Sequence, residues 1–171
     1  LIVEKGRIKG VVTHRGTIMA DHVIVCAGIW GRLIAEMVGE DLPVMPVDHP
    51  LTFFGPYNEF EGTGKEIGFP LLRDQGNSAY MRDTGDPKTA EGGQIEWGYY
   101  EEKNPRLCHP RDLLEKHEAR LSPSQRDLDM EQILEPLERA MELTPILGEL
   151  GYNEGHSFNG LLQVTTDGGP S

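Results

Sequence analysis

The feature that most constrains this chain is a short apolar run that stops abruptly at glycine. Val23-Ile24-Val25-Cys26 is the pattern of a strand buried on both faces, and Gly28 breaks it. Leu33, Ile34, Met37 and Val38 then fall at helical spacing between Gly31 and Gly39, and Gly39 suits a helix stop. Strand, glycine turn and helix in that order predict an α/β element whose strand ends beside a ligand. Upstream, Arg7–Thr13 and Thr17–Met19 read as a hairpin joined by His14-Arg15-Gly16.

From Leu42 the pattern changes. Pro43, Pro46 and Pro50 punctuate an extended stretch to Phe54, and a polar loop covers residues 55–68. Three further strands are predicted at Leu71–Arg73, Ala79–Arg82 and Gln94–Tyr100, the last with Ile95, Trp97 and Tyr99 on one face. Asp112–Leu121 and Met130–Leu143 carry amphipathic helical stripes, with Asp127 or Asp129 as cap of the second, Pro136 inside it and Pro145 beyond its end. Residues 155–167 return to an extended segment. The fold class is therefore α+β, with an antiparallel sheet and flanking helices after a smaller first lobe.

Charge removes several functions. With 28 acidic and 16 basic residues the net charge is -12, which disfavours phosphate backbones and anionic membrane surfaces. Two cysteines supply neither a disulfide framework nor a metal-ligand spacing, and no basic leader precedes an apolar segment, so the reading is cytoplasmic or mitochondrial matrix, not secreted. Glycine is in excess, 21 of 171 residues or about 12% against a typical ~7%, and its scatter points to tight turns and close approaches of backbone. Opening inside a strand at Leu1 and stopping at Ser171 without a closing element, the chain reads as an internal piece of a longer protein.

The six histidines form no HExxH or CxxC-type cluster, and neither a GxSxG elbow nor a P-loop is present, so metal, serine-hydrolase and NTPase chemistry lack their residues. His14 reads as solvated and His117 as packed on its helix stripe. His49 lies beside Asp48 where the extended chain leaves the first lobe, a place to orient or protonate a substrate. On spacing alone, a structural histidine is the better reading. Tyr80 and Arg82 share one sheet face and suit a carboxylate, although the bare pattern fits a solvated face better.

Taken together, Gly10–Thr13 (GVVT) and Ala20–Trp30 (ADHVIVCAGIW) resemble a segment of the FAD-dependent amine oxidoreductases of the D-amino-acid oxidase superfamily. Met45–His49 (MPVDH), Ser78–Arg82 (SAYMR), Gly98–Glu101 (GYYE) and Asn104-Pro105 are similar to the dimethylglycine and sarcosine dehydrogenase branch, as is Asn159-Gly160 followed by Thr165–Gly168 and Pro170. Thr166 and Tyr99 depart from the family pattern, which has proline and often glycine there. The GxGxxG fingerprint that meets a dinucleotide pyrophosphate is absent from the chain.

The resemblance implies a partial FAD-binding lobe at 1–42, a substrate lobe at 43–154 and a return to the FAD-binding lobe at 155–171. It implies His49 and Tyr80 as catalytic residues and Arg82 as a substrate-binding helper. Ala27, Gly28, Trp30, Thr166, Asp167 and Gly168 would contact FAD, and no metal is implied. The substrate would be a small N-methylated amino acid of the dimethylglycine or sarcosine type, with tetrahydrofolate as a further partner through another domain. By itself the chain is expected to be inactive and to hold no FAD. The alternatives are a noncatalytic protein-binding module, or a glycine or D-amino-acid oxidase of the same fold.

Overall fold

The alternation of apolar and polar residues along the central strands decides which face of the sheet is covered. In the computed structural model, which describes residues 1–101, 103–115 and 125–167, the chain divides into two compact units. The larger unit, residues 48–106 and 120–161, holds most of a six-stranded sheet. Its strands are β4 (Val44–Gly55), β5 (Leu72–Asp74), β6 (Ala79–Asp83), β7 (Ile95–Tyr99), β8 (Gly151–Tyr152) and β9 (Phe158–Thr165), β4 and β9 each extending beyond the unit. The order is β5-β6-β7-β4-β8, with β9 also pairing β4. The predicted strands at 71–73, 79–82 and 94–100 thus form, within one residue at each end.

Inward residues Phe54, Ala79, Met81, Ile95, Trp97 and Tyr99 meet a helix, Met130–Leu143, through its Ile133, Leu137 and Ala140. This helix (the third, α3) spans the predicted residues because its apolar stripe has sheet to cover and Asp129 caps it, the carboxylate accepting from the Glu131 backbone N–H. A short helix α4 (Ile146–Glu149) starts at Pro145.

Pro136 is accommodated inside α3, fully within the packed face. Proline cannot donate to the carbonyl four residues earlier, that of Gln132. The Tyr99 hydroxyl lies 3.0 Å from that oxygen and 2.8 Å from Glu101 Oε2, so its single proton is shared between a carboxylate and the carbonyl the helix leaves vacant.

Two buried carboxylates tie down the loop at 55–68: Asp86, 2% exposed, accepts from the Gly64 backbone N–H at 2.8 Å, and Asp83 holds the loop's end. Asp83 is 2% exposed, and its oxygens accept backbone N–H bonds from Gly68 (2.7 Å), Phe69 (2.7 Å) and Gly85 (2.9 Å). Removing such an acceptor leaves buried donors unpaired, at about 1–3 kcal/mol each. Asp83→Ala is expected to lower unfolding stability by about 3 kcal/mol or more, read as the shift of the urea midpoint. An unchanged midpoint would show that water replaces the carboxylate freely.

The smaller unit, residues 1–47, 107–119 and 162–171, contains a three-stranded antiparallel meander, β1 (Ile2–Glu4), β2 (Arg7–Thr13) and β3 (Gly16–Met19). It also contains α1 (Gly31–Glu36) and α2 (Pro110–Glu115). The β2–β3 hairpin is the one predicted, with Thr13 opposite Gly16. The predicted buried strand is not formed: residues 22–27 have no regular structure, and Ile24 is 87% exposed. A strand needs neighbours to take its backbone N–H and C=O groups. Among the described residues no strand pairs with 22–27, since β1, β2 and β3 pair only with one another. Helix α1 is shorter than the predicted 31–39, and the chain turns at Gly39 with φ +80°, its N–H on the Glu36 carbonyl at 3.1 Å. The predicted helix at 112–121 begins at Pro110; residues 116–121, including His117, lie outside the described residues.

Candidate active site

The uncovered face of the larger unit's sheet is built by the residues that alternate with the core. On β4 these are His49, Leu51 and Phe53; on β6, Tyr80 and Arg82; on β7, Glu96 and Gly98. Pairing register then aligns them. Tyr80 lies opposite Gly98, Arg82 opposite Glu96, and Leu51 opposite Gly98 on the other side.

His49 Nε2 and Tyr80 Oη come within 2.9 Å, with ring centroids 5.8 Å apart and planes inclined by 22°. Tyr100, just past the end of β7, closes the group: its ring centroid is 4.6 Å from that of His49 and 5.8 Å from that of Tyr80. The contact depends on Gly98. A Cβ there would stand 2.4 Å from Tyr80 Oη, so the phenol lies across the strand in space that only glycine leaves free.

The two polar atoms differ in how they hold protons. Burial pushes the His49 imidazole below its usual value, and the nearby Arg73 charge adds to this, against a hydrogen bond with the Tyr99 backbone. Tyr80 is pushed up to about 12, chiefly by burial. At neutral pH the imidazole is therefore uncharged and the phenol keeps its proton, which leaves Tyr80 as donor to Nε2.

Asp48 does not take part. It points to the opposite side of β4, 5% exposed, and Arg126 Nη1 donates to it at 2.8 Å. Adjacency in sequence does not bring the two side chains together, since successive residues of a strand face opposite ways. Arg82 is engaged by Glu96, with Nε at 3.1 Å and Nη2 at 3.0 Å from Oε2. Arg73 of β5 was not a candidate from sequence, yet its Cζ lies 4.8 Å from the Tyr100 ring centroid. Parity gave a usable signal for Tyr100, because Ile95, Trp97 and Tyr99 inward puts Gly98 and Tyr100 outward. Nothing local signals Arg73; its place comes from pairing with Tyr80 across β5 and β6.

In the smaller unit, Ala27 and Gly28 line a cavity of about 680 Å³ with Val23, Val25, Ile34 and Val38 among its walls. Gly28 opens a 3₁₀ turn at φ +51°, a conformation that favours glycine. The lining is mostly apolar and carries no lysine or arginine, which suits an apolar ring system better than a charged group. Trp30 closes the 3₁₀ turn and is not part of this lining. Thr166 and Asp167 form an exposed turn after β9, and Gly168 lies outside the described residues. Among the described residues no group of acidic, histidine or cysteine side chains is placed to hold a metal ion. No helix there is long and apolar enough to cross a membrane.

With that geometry in view, the sequence matches the FAD dependent oxidoreductase family over residues 1–171. The chain belongs to this family. Its relatives include mitochondrial dimethylglycine dehydrogenase of Rattus norvegicus, 27% identical over 137 residues. That match covers 80% of this chain and 15% of the relative. Mitochondrial sarcosine dehydrogenase of Homo sapiens is 26% identical over 145 residues, 85% of this chain and 14% of the relative. Among solved structures, L-proline dehydrogenase from P. horikoshii superposes with a TM-score of 0.65 at 22% identity, covering 99% of this chain and 38% of that one, a likeness of fold. The mixed α+β architecture is thus the family's, and the chain spans about one seventh of the length of the curated relatives it matches.

Proposed function

We propose that this chain is the part of a larger FAD-dependent amine oxidoreductase that carries the amine-handling residues, with an N-methyl amino acid of the dimethylglycine or sarcosine type as substrate. The observation that supports it most is the 2.9 Å contact between a neutral imidazole and a protonated phenol on an uncovered sheet face. The names of the relatives point to the same substrate class and to a mitochondrial setting, with a cytoplasmic one as the alternative.

The bound flavin supplies the acceptor for the hydride of the N-methyl carbon. The chain's own residues have to present an amine with a free lone pair. Tyr80 Oη takes the proton of the incoming ammonium as its own proton passes to His49 Nε2, so one proton moves along two atoms already in contact. Tyr100 closes one side of this pair and holds the rings in place. Glu96 keeps Arg82 oriented across the neighbouring strands, which makes Arg82 a support of this face beside any direct part in binding. Ala27, Gly28 and the apolar walls around them would hold a ring portion of FAD, and the turn at Thr166-Asp167 would place backbone near it.

The test is anaerobic mixing of the flavin-loaded full-length protein with dimethylglycine and with sarcosine. Bleaching of the flavin absorbance between about 350 and 500 nm is expected. A flavin that stays oxidised with both amines overturns the reading, and reduction by glycine or a D-amino acid alone moves the protein to the oxidase alternative. The purified 171-residue chain is expected to show no flavin absorbance, because it contains no phosphate-binding glycine loop. A binding module without chemistry is the weaker reading, since Ile133, Leu137 and Ala140 of α3 are spent on the chain's own sheet.

A further inference from the structure

The proposed substrate carries a carboxylate one carbon from its nitrogen, so the cation that receives it has to stand close to the residues that receive the amine. Two arginines reach this sheet face, Arg82 on β6 and Arg73 on β5. Both Nε and Nη2 of Arg82 are committed to Glu96. Arg73 makes no ion pair among the described residues, and its guanidinium lies over the Tyr100 ring at 4.8 Å. Tyr100 is the ring that also touches His49, at 4.6 Å between centroids.

We infer that Arg73, rather than Arg82, is the docking group for the substrate carboxylate, held over Tyr100 with its N–H fork turned outward. The inference rests on the amine-oxidoreductase reading and deepens it. Register fixes the placement: Arg73 lies directly opposite Tyr80 in the antiparallel β5–β6 pair, so both side chains leave the same face. A guanidinium over an aromatic face keeps its donors in the ring-parallel plane, where a carboxylate meets two of them at once. Against the chain's net charge of -12, a local cation favours docking of an anionic substrate end. The charge of Arg73 also reaches the catalytic pair, favouring the neutral imidazole of His49 and opposing the rise at Tyr80.

The flavin-loaded full-length protein provides the test, with Arg73→Met, Arg73→Lys and Arg82→Met compared with the parent. Binding of methoxyacetate, a carboxylate that cannot be oxidised as an amine, is measured by calorimetry. Flavin reduction is measured with dimethylglycine and with N,N-dimethylethanolamine, which has the same amine and no carboxylate. Arg73→Met is expected to raise the methoxyacetate Kd and the dimethylglycine KM by roughly 10–100-fold. The loss with dimethylethanolamine, which has no carboxylate to dock, is smaller than the loss with dimethylglycine, and Arg73→Lys, which keeps the charge acting on His49 and Tyr80, restores part of it. Methoxyacetate binding that survives Arg73→Met, or is lost only in Arg82→Met, overturns the assignment. Failure of the unsubstituted protein to be reduced by either amine instead overturns the amine reading beneath it.

Discussion

Replacing His49 by alanine in the flavin-loaded full-length protein is expected to slow reduction of the flavin by dimethylglycine between about 10- and 10⁴-fold, the range for losing a positioned proton acceptor. Tyr80→Phe removes the hydroxyl while keeping the ring, and falls in the same range for the same reason. The two groups act on one proton through a single 2.9 Å contact, so their losses do not add. The double variant should be little slower than the worse single one. Stopped-flow reduction at saturating amine measures this directly. Rates unchanged in both single variants remove the pair from the reaction, and full additivity separates them into independent roles.

The second large effect comes from a residue with no side chain. Gly98→Ala places a methyl group where Tyr80 Oη and Cζ now lie, at 2.4 and 2.5 Å from its position. The phenol has to swing away and lose His49. Expected is a fall in reduction rate as large as that of Tyr80→Phe, with no further fall when Gly98→Ala is added to Tyr80→Phe. The combination matters because Phe in place of Tyr keeps the ring and removes only the hydroxyl. A rate unaffected by Gly98→Ala would mean that the phenol works from another position.

Most of the larger unit could be read in advance because its signals are local. The stripe of α3 and the alternation in β7 each bury one face, so periodicity alone set Ile95, Trp97 and Tyr99 together and marked Met130–Leu143 as an amphipathic helix. Val23–Cys26 misled for the converse reason. Its apolar residues promise burial, but a strand is completed by neighbours, and pairing partners are not written in a four-residue run. In the site, His49 and Tyr80 came from a family resemblance that their spacing did not supply by itself. Strand parity could have added Tyr100. Arg73 and the space over Gly98 that Tyr80 fills depend on register between β5, β6 and β7, a property of the assembled sheet. The triple hydrogen bond of Asp83 was likewise invisible, because its donors come from a loop 14 and 15 residues earlier as well as from Gly85.

The unused carbonyl of Gln132 links the helix to the chemistry by an indirect route. Tyr99, which reaches it at 3.0 Å, sits between Gly98 and Tyr100 in the chain. A helix sliding by one residue along its groove would carry that oxygen away from the phenol and present instead a carbonyl already spoken for. The proline thus acts as an index mark, giving the back of the sheet one preferred setting for β7, the strand whose Gly98 lies opposite Tyr80. Restoring an ordinary helical residue at 136 would erase the mark, and loss of alignment on one side of β7 would be felt on the other.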